Sequence, residues 1–384
     1  MRPYLPGYRG SFRSGFHMPP PYDLRLLFPM LFLVGIGIVM VYSASSAVAL
    51  KDYGSDQFFL RRQALFVFLG LSVLLICRYF PIRFLRALAY PILGAAFVSL
   101  FLVLLPGFGI KAGGATRWLR LGPISFQPAE FARFAMVVYL AYSMSKKDYK
   151  LETFSVGFVP HVMILLVFTL LIMLQPDFGT VVILFAITWI MMFVGGVRLK
   201  YLLLSFLGSL PVVYLFLIGS SYRMRRIISF INPWQYAQDE GYQTVHSLMA
   251  FGTGGIWGVG LGKGYQKLFY LPEPHTDFIF SVIGEELGLI GVLLVVVCYA
   301  YILWNGIKIA RSAEETFSSF LAVGLTVCVG LQACVNMGVA LALLPTKGLT
   351  LPFISYGGTS LVMNMAFIGL LMNIGASQTR QGPS

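Results

Sequence analysis

A carboxylate that is to act as a base works best half in water and half in protein, because partial desolvation raises its basicity. Asp277 stands in such a place, in LPEPHTDFIFSVIGEELG (271–288), at the mouth of a long apolar run. It suits a general base for activating a hydroxyl. A helix N-cap, supplied by Asp277 or by Thr276, accounts for the same residue types. Glu285 and Glu286 lie about 12 Å deeper at a helical rise of about 1.5 Å per residue, and must face a polar cavity or a basic partner. Adjacent carboxylates point in different directions on a helix, so they imply no joint metal site. Glu130 and Arg133, three apart in QPAEFARF (127–134), share a helix face and can pair, which gives them a structural role. Asp177 follows Pro176 in a tight turn, where it either caps the next helix or serves the site. His275 and Asp277 are spaced so that they do not share a helix face, which makes His275 a weak metal candidate and a supporting polar group. Ser355, in LPFISYGGTS, lacks the G-x-S-x-G setting of a hydrolase nucleophile. No Ser–His–Asp triad is supported, and Ser355 is grouped with the substrate-binding residues.

The cations extend the pattern. Of the 28 Lys and Arg residues, fifteen fall in segments assigned to the cytoplasmic side and twelve in segments assigned to the outer side, with Arg133 inside a helix. Outer cations run against the positive-inside rule, so a polyanionic substrate at the outer surface is the reading for the cluster Arg223, Arg225 and Arg226. For single residues, pairing with Asp52, Asp56, Asp239, Glu240 or Glu273 explains them as well. Arg62, Arg223, Arg226 and Lys347 are the candidate substrate-binding cations. A polyanionic substrate would need them, or a divalent cation such as Mg or Mn; no cofactor is otherwise indicated.

The elements that must position these groups are membrane spans. The chain has 384 residues, 58% hydrophobic and 11% charged, against about 25% charged in soluble domains. A soluble fold is excluded. The net charge of +13 reads as loop bias and not as nucleic-acid binding. Cys77, Cys298, Cys328 and Cys334 lie in or beside apolar runs without a C-x-x-C pair and read as packing residues. Ten apolar runs suit spans of roughly 20 residues, near 25–48, 63–79, 86–106, 128–145, 155–174, 178–197, 200–219, 278–305, 317–344 and 355–376. The expected fold is an all-α polytopic membrane protein: ten transmembrane helices, both termini cytoplasmic, and a large extracytoplasmic loop, 220–277, between helices seven and eight. Residues 1–23 read as a disordered cytoplasmic tail, 24–376 as the transmembrane domain and 377–384 as a second cytoplasmic tail. The loop opens on SYRMRRIISFINPW, where basic and apolar blocks suit an interfacial helix. Its glycine stretch GTGGIWGVGLGKG fails the phosphate-loop pattern, with Trp257 and Gly264 at two required positions. No ATP site is visible, which argues against a primary pump.

QPAEFARF (127–134), QPDFGT (175–180), YRMRRIISFINPW (222–234), GYQTVHSLMAFGTGGIWGVGLG (241–262), LPEPHTDFIFSVIGEELG (271–288) and LPTKGLTLPFISYGGTS (344–360) together resemble the SEDS family of shape, elongation, division and sporulation proteins. Lys347 and Thr350 resemble its division branch; the elongation branch usually lacks that Lys. The resemblance implies a ten-helix peptidoglycan glycosyltransferase of the bacterial inner membrane, acting on lipid II at the division septum. Asp277 corresponds to the family's essential Asp, and Glu130 and Arg133 to its QPSEFAK pair, with Ala129 and Arg133 as mild departures. The implied partners are a class B penicillin-binding transpeptidase and other divisome membrane proteins. The expected chemistry has Asp277 deprotonating the acceptor hydroxyl while undecaprenyl diphosphate leaves against the outer cations. The competing readings are a lipid II flippase, which Glu285 and Glu286 keep open, and a non-catalytic divisome scaffold.

Overall fold

A computed structural model gives the fold for residues 23–112, 115–122, 124–219, 221–268 and 271–379. The N-terminal tail before residue 23 and the end of the C-terminal tail from residue 380 lie outside the described residues. Each of the ten apolar runs is helical: α1 (Leu24–Tyr53), α2 (Phe58–Tyr79), α4 (Ala89–Leu104), α5 (Pro128–Lys146), α6 (Val159–Leu174), α7 (Phe178–Val194), α8 (Leu199–Ile218), α11 (Ile279–Ser312), α12 (Thr316–Ala340) and α13 (Gly358–Thr379). Six of the helical segments are long and apolar enough to cross a membrane, and α4, α7 and most of α8 are shorter apolar helices. Three further helices are α3 (Ile82–Ala87), α9 (Ser221–Ile231) and α10 (Tyr242–Gly254).

The all-α expectation needs one correction. Between α4 and α5 the chain forms a three-stranded antiparallel sheet, β1 (Gly109–Ala112), β2 (Ala115–Leu121) and β3 (Ile124–Phe126), in the order β1-β2-β3. Its signal was present in the sequence: a Gly-Gly dipeptide is a common hairpin sequence, and one stands at 113–114 just before the run Ala-Thr-Arg-Trp-Leu. Strands this short carry no apolar run, so a search for spans passes over them.

The core is built around α5, which is buried along most of its length and packs on α4 and α12. α13 lies against α2 so closely that Gly369 abuts the Leu74 backbone. Outward-facing Phe28, Phe68, Leu170, Leu215 and Trp304 are exposed, as suits side chains facing lipid. Because lipid tails are as apolar as leucine, such helices are held by close packing and interhelical hydrogen bonds more than by hydrophobic burial. The polar contacts below therefore carry much of the fold's specificity.

α11 is broken at Gly288 (φ 65°, ψ −163°). The chain after α10 folds back against this break. Val259 N–H donates to Glu285 O (3.0 Å), Gly260 N–H to Glu286 O (3.1 Å), and Leu289 N–H to Gly255 O (2.9 Å). Gly258 (φ 78°) lies on the Glu286 carbonyl and Gly288 on the Gly258 nitrogen, where a Cβ on either residue would collide with backbone. Irregular backbone inside a bundle survives only where protein satisfies it, and the glycines allow the two segments to come within hydrogen-bonding distance.

Candidate functional site

Asp277 is positioned by the connection between α12 and α13. Three successive carbonyls before α11 are each caught. Tyr356 N–H donates to His275 O (2.9 Å), Ser355 Oγ to Thr276 O (2.6 Å), and Asn336 Nδ2 to Asp277 O (2.8 Å). Asn336 also donates to Leu349 O (2.5 Å), so a single buried amide fixes both sides of the site. α11 starts at Phe278 without a side-chain cap, and Thr276 Oγ1 donates back to Glu273. The capping alternative for Asp277 and Thr276 is thereby removed. The half-buried Asp277 carboxylate lies over Gly348, where an added Cβ would sit 3.0 Å from Oδ2.

Burial, with the Glu273 carboxylate adding to it, pushes Asp277 up to about 7; Arg117, a hydrogen bond from Thr276 and Arg226 pull the other way. Cations from three elements converge here. Arg117 on β2 donates to Pro176 O (2.6 Å) and Gln175 O (3.4 Å). Arg226 on α9 donates to Thr346 O (3.4 Å). Lys347 lies over the Phe178 ring, 3.9 Å from its centroid. Burial lowers Lys347 to about 8, with Asp177 opposing and Arg226 reinforcing the shift. Asp177 caps α7, accepting from Thr180 N (3.3 Å) and Thr180 Oγ1 (2.8 Å), while its charge also serves Lys347.

Behind this face runs a buried polar chain. Glu130 and Arg133 pair, and Arg133 donates to Gln332 Oε1 (3.2 Å). Gln332 donates to Thr350 O (3.0 Å) and Ser360 Oγ (2.9 Å). The ion pair on α5 is thus tied through α12 to the connection that holds Asp277. Glu285 and Glu286 face the folded-back loop and not a cavity. Glu285 accepts from Tyr265 N (2.7 Å) and Gln266 N (3.2 Å). Glu286 pairs with Lys267 (2.5 Å) and accepts from Ser43 Oγ (2.8 Å) and Gly262 N (3.0 Å).

The structure therefore gathers Asp277, Arg226, Lys347 and Asp177 at one end of the bundle and adds Arg117, which sequence reasoning counted among the misplaced cations without assigning it. Asn336 and Gln332 were missed; a lone amide in an apolar run was the available signal. Arg62 lies over Phe58 (4.3 Å) and beside Tyr356. His275 is packed between Phe59 and Tyr356, and burial lowers its pKa against the pull of Glu273. The side chain of Arg223 lies outside the described residues. Among the described residues no three His, Cys, Asp or Glu side chains form a metal-binding group.

Ser355 is engaged within the protein. Its hydroxyl donates to Thr276 O and accepts from Leu351 N–H (2.8 Å), which leaves it holding the loop and not facing a ligand. Ser355→Ala strands a buried carbonyl and a buried N–H, at about 1–3 kcal/mol. A lower melting temperature with unchanged KM is expected; a raised KM at wild-type stability would return Ser355 to the substrate.

A bundle of apolar helices that holds a desolvated carboxylate at one end, with Arg117 and Arg226 acting on it and Lys347 in the same region, defines a polytopic membrane protein with a charged site at one end. The chain belongs to the FtsW, RodA and SpoVE family of cell cycle proteins, whose model matches residues 24–380. It is 44% identical over 353 residues, 92% of this chain and 95% of the other, to the probable peptidoglycan glycosyltransferase FtsW of Geobacter sulfurreducens (strain DL-1 / KN400). To the same-named protein of Thioalkalivibrio sulfidiphilus it is 41% identical, covering 94% of this chain and 91% of that one. Among solved structures it resembles a chain of a peptidoglycan synthase complex that coordinates polymerization and crosslinking (TM-score 0.78, 28% identity, 94% of this chain and 99% of that one). It also resembles the rod shape determining protein RodA of Thermus thermophilus (TM-score 0.68, 28% identity, 95% and 99% covered).

Proposed function

We propose that this chain is a peptidoglycan glycosyltransferase that polymerises lipid II at the division septum of the bacterial inner membrane. In this reading ten helices cross the bilayer, both termini are cytoplasmic, and the site faces outward. The observation that carries it is the setting of Asp277, its carbonyl clamped by Asn336 and its carboxylate over Gly348, with burial and Glu273 holding it near 7 against Arg117 and Arg226. A carboxylate so poised accepts a proton near neutral pH. Asp277 takes the proton of the acceptor GlcNAc 4-hydroxyl, the oxygen bonds to the donor's anomeric carbon, and the carbon–phosphate-oxygen bond breaks with its electron pair leaving on undecaprenyl diphosphate. Arg117, Arg226 and Lys347 meet that charge, and inversion converts an α-linked donor into a β-linked glycan. A diphosphate leaving group needs no protonation, so one carboxylate suffices where glycosidases use two. The peptidoglycan synthase complex among the similar structures supports a class B penicillin-binding transpeptidase as partner, with further divisome proteins around it.

The flippase reading weakens because Glu285 and Glu286 are bound to the folded-back loop and not open to a passing headgroup. The deciding experiment is incubation of lipid II with the purified chain and its partner transpeptidase, with and without Mg or Mn, beside a vesicle assay of lipid II accessibility. Glycan chains support the proposal; transfer of lipid II across vesicles without polymer overturns it.

The pH dependence follows in sign. Asp277 must be ionised, so kcat/KM rises to about pH 7. Lys347 must be charged, so it falls above about 8. Bound diphosphate holds the Lys347 proton, so the falling limb moves to higher pH in kcat. A rate flat across this range counts against both assignments.

A further inference from the structure

Beside Asp277 lies a groove of about 720 Å³ whose lining, Arg226 apart, has no part in the chemistry above. One wall is α9, with Arg225 and Arg226. The other is the turn after it, with Tyr236, Asp239 and Glu240, and the floor includes Thr346. Its volume is that of a ligand site. It is continuous with the catalytic face, because Arg226 donates to Thr346 O next to Lys347, and Pro272 in its lining precedes Glu273, which acts on Asp277. The turn is pinned by its own backbone, Asp239 N–H and Gly241 N–H both donating to Tyr236 O (3.0 Å each) and Tyr242 N–H to Asp239 O (3.1 Å). Its side chains are therefore presented on a fixed frame.

The two walls carry opposite charge. Arg225 and Glu240 stand 3.7 Å apart and are partly exposed. An exposed pair of that kind is worth little, so a ligand can separate it at small cost. A diphosphate alone would be repelled by Asp239 and Glu240, and a neutral glycan has no use for four charges. A short peptide bearing both carboxylates and an ammonium matches each wall. We propose that this groove binds the peptide arm of the lipid-linked disaccharide, with its carboxylates on Arg225 and a side-chain ammonium on Asp239 and Glu240. The proposal rests on the glycosyltransferase reading above.

The test uses the full chain with its partner transpeptidase and two lipid II preparations, one with a free side-chain ammonium and one N-acetylated there. In the wild type, acetylation raises KM about tenfold, the size of one lost charge contact. In Asp239→Asn/Glu240→Gln the free-ammonium substrate loses about tenfold in KM, and acetylation then adds nothing. Arg225→Gln supplies the reciprocal case: amidating the peptide carboxylates raises KM in the wild type and not in the variant. An acetylation ratio that is the same in wild type and double variant overturns the groove alone. Failure of the wild type to polymerise either substrate overturns the function reading and the groove with it.

Discussion

Asp277→Asn removes glycan polymerisation by about 10²–10⁴-fold, the usual worth of a positioned general base, while lipid II binding stays within a few-fold of wild type. The amide keeps the size of the side chain over Gly348 and leaves the three carbonyl clamps untouched, so the loss falls on the chemical step. The same substitution has a predictable effect on stability. The carboxyl ionises near 3.8 in the unfolded chain and near 7 when folded. A raised folded value means that its contribution is complete below the unfolded value and declines as pH rises to about 7. Asparagine carries no such decline. The melting-temperature difference, variant minus wild type, should grow between about pH 4 and 7 and then level off. Thermal scans across that range, run beside the polymerisation assay, separate a desolvated base from a structural carboxylate. Wild-type glycan chains from Asp277→Asn would sink the catalytic assignment, and a pH-independent difference would sink the desolvation argument.

The helices were legible because long apolar runs favour helix in lipid: the ten runs are helical, and among the described residues six helical segments are long and apolar enough to cross a membrane. The sheet was not, since strands of three to seven residues carry no such length signature. Glu130 and Arg133 were legible as a pair because a helix places residues three apart together. Asp277 could be placed at a helix mouth, yet its sequence surroundings allowed a cap as readily as a base. What separates the two is the distant chain that reaches it: Arg117 on a strand, Arg226 on α9 and Asn336 on α12. Ser355 shows the same limit from the other side. Its partner Thr276 is 79 residues away, so a hydroxyl in a glycine-rich motif looked available when it was already bonded.

Glu285 and Glu286 were correctly expected to need partners, and the partner of Glu286 leads to the second large effect. Lys267 and Glu286 form a nearly fully buried ion pair, with Lys267 also donating to Ser43 on α1 (2.8 Å). Removing one member of such a pair leaves an uncompensated buried charge, at about 3–5 kcal/mol. Lys267→Met should therefore lower the melting temperature sharply, because among the described residues Glu286 then retains Ser43 Oγ and Gly262 N–H as donors. Glu286→Gln should do the same by stranding the ammonium. The double variant Lys267→Met/Glu286→Gln should recover most of the loss, since replacing a whole buried pair is often close to neutral. A double variant as damaged as the sum of the two singles would show that the residues act separately and not as a pair. Activity should follow stability here: the pair fixes the folded-back loop on the first part of α11, and that part begins two residues after Asp277. If either single variant kept full stability yet lost polymerisation, Glu286 would have to face substrate, and the transport reading would regain the buried charge it lacks.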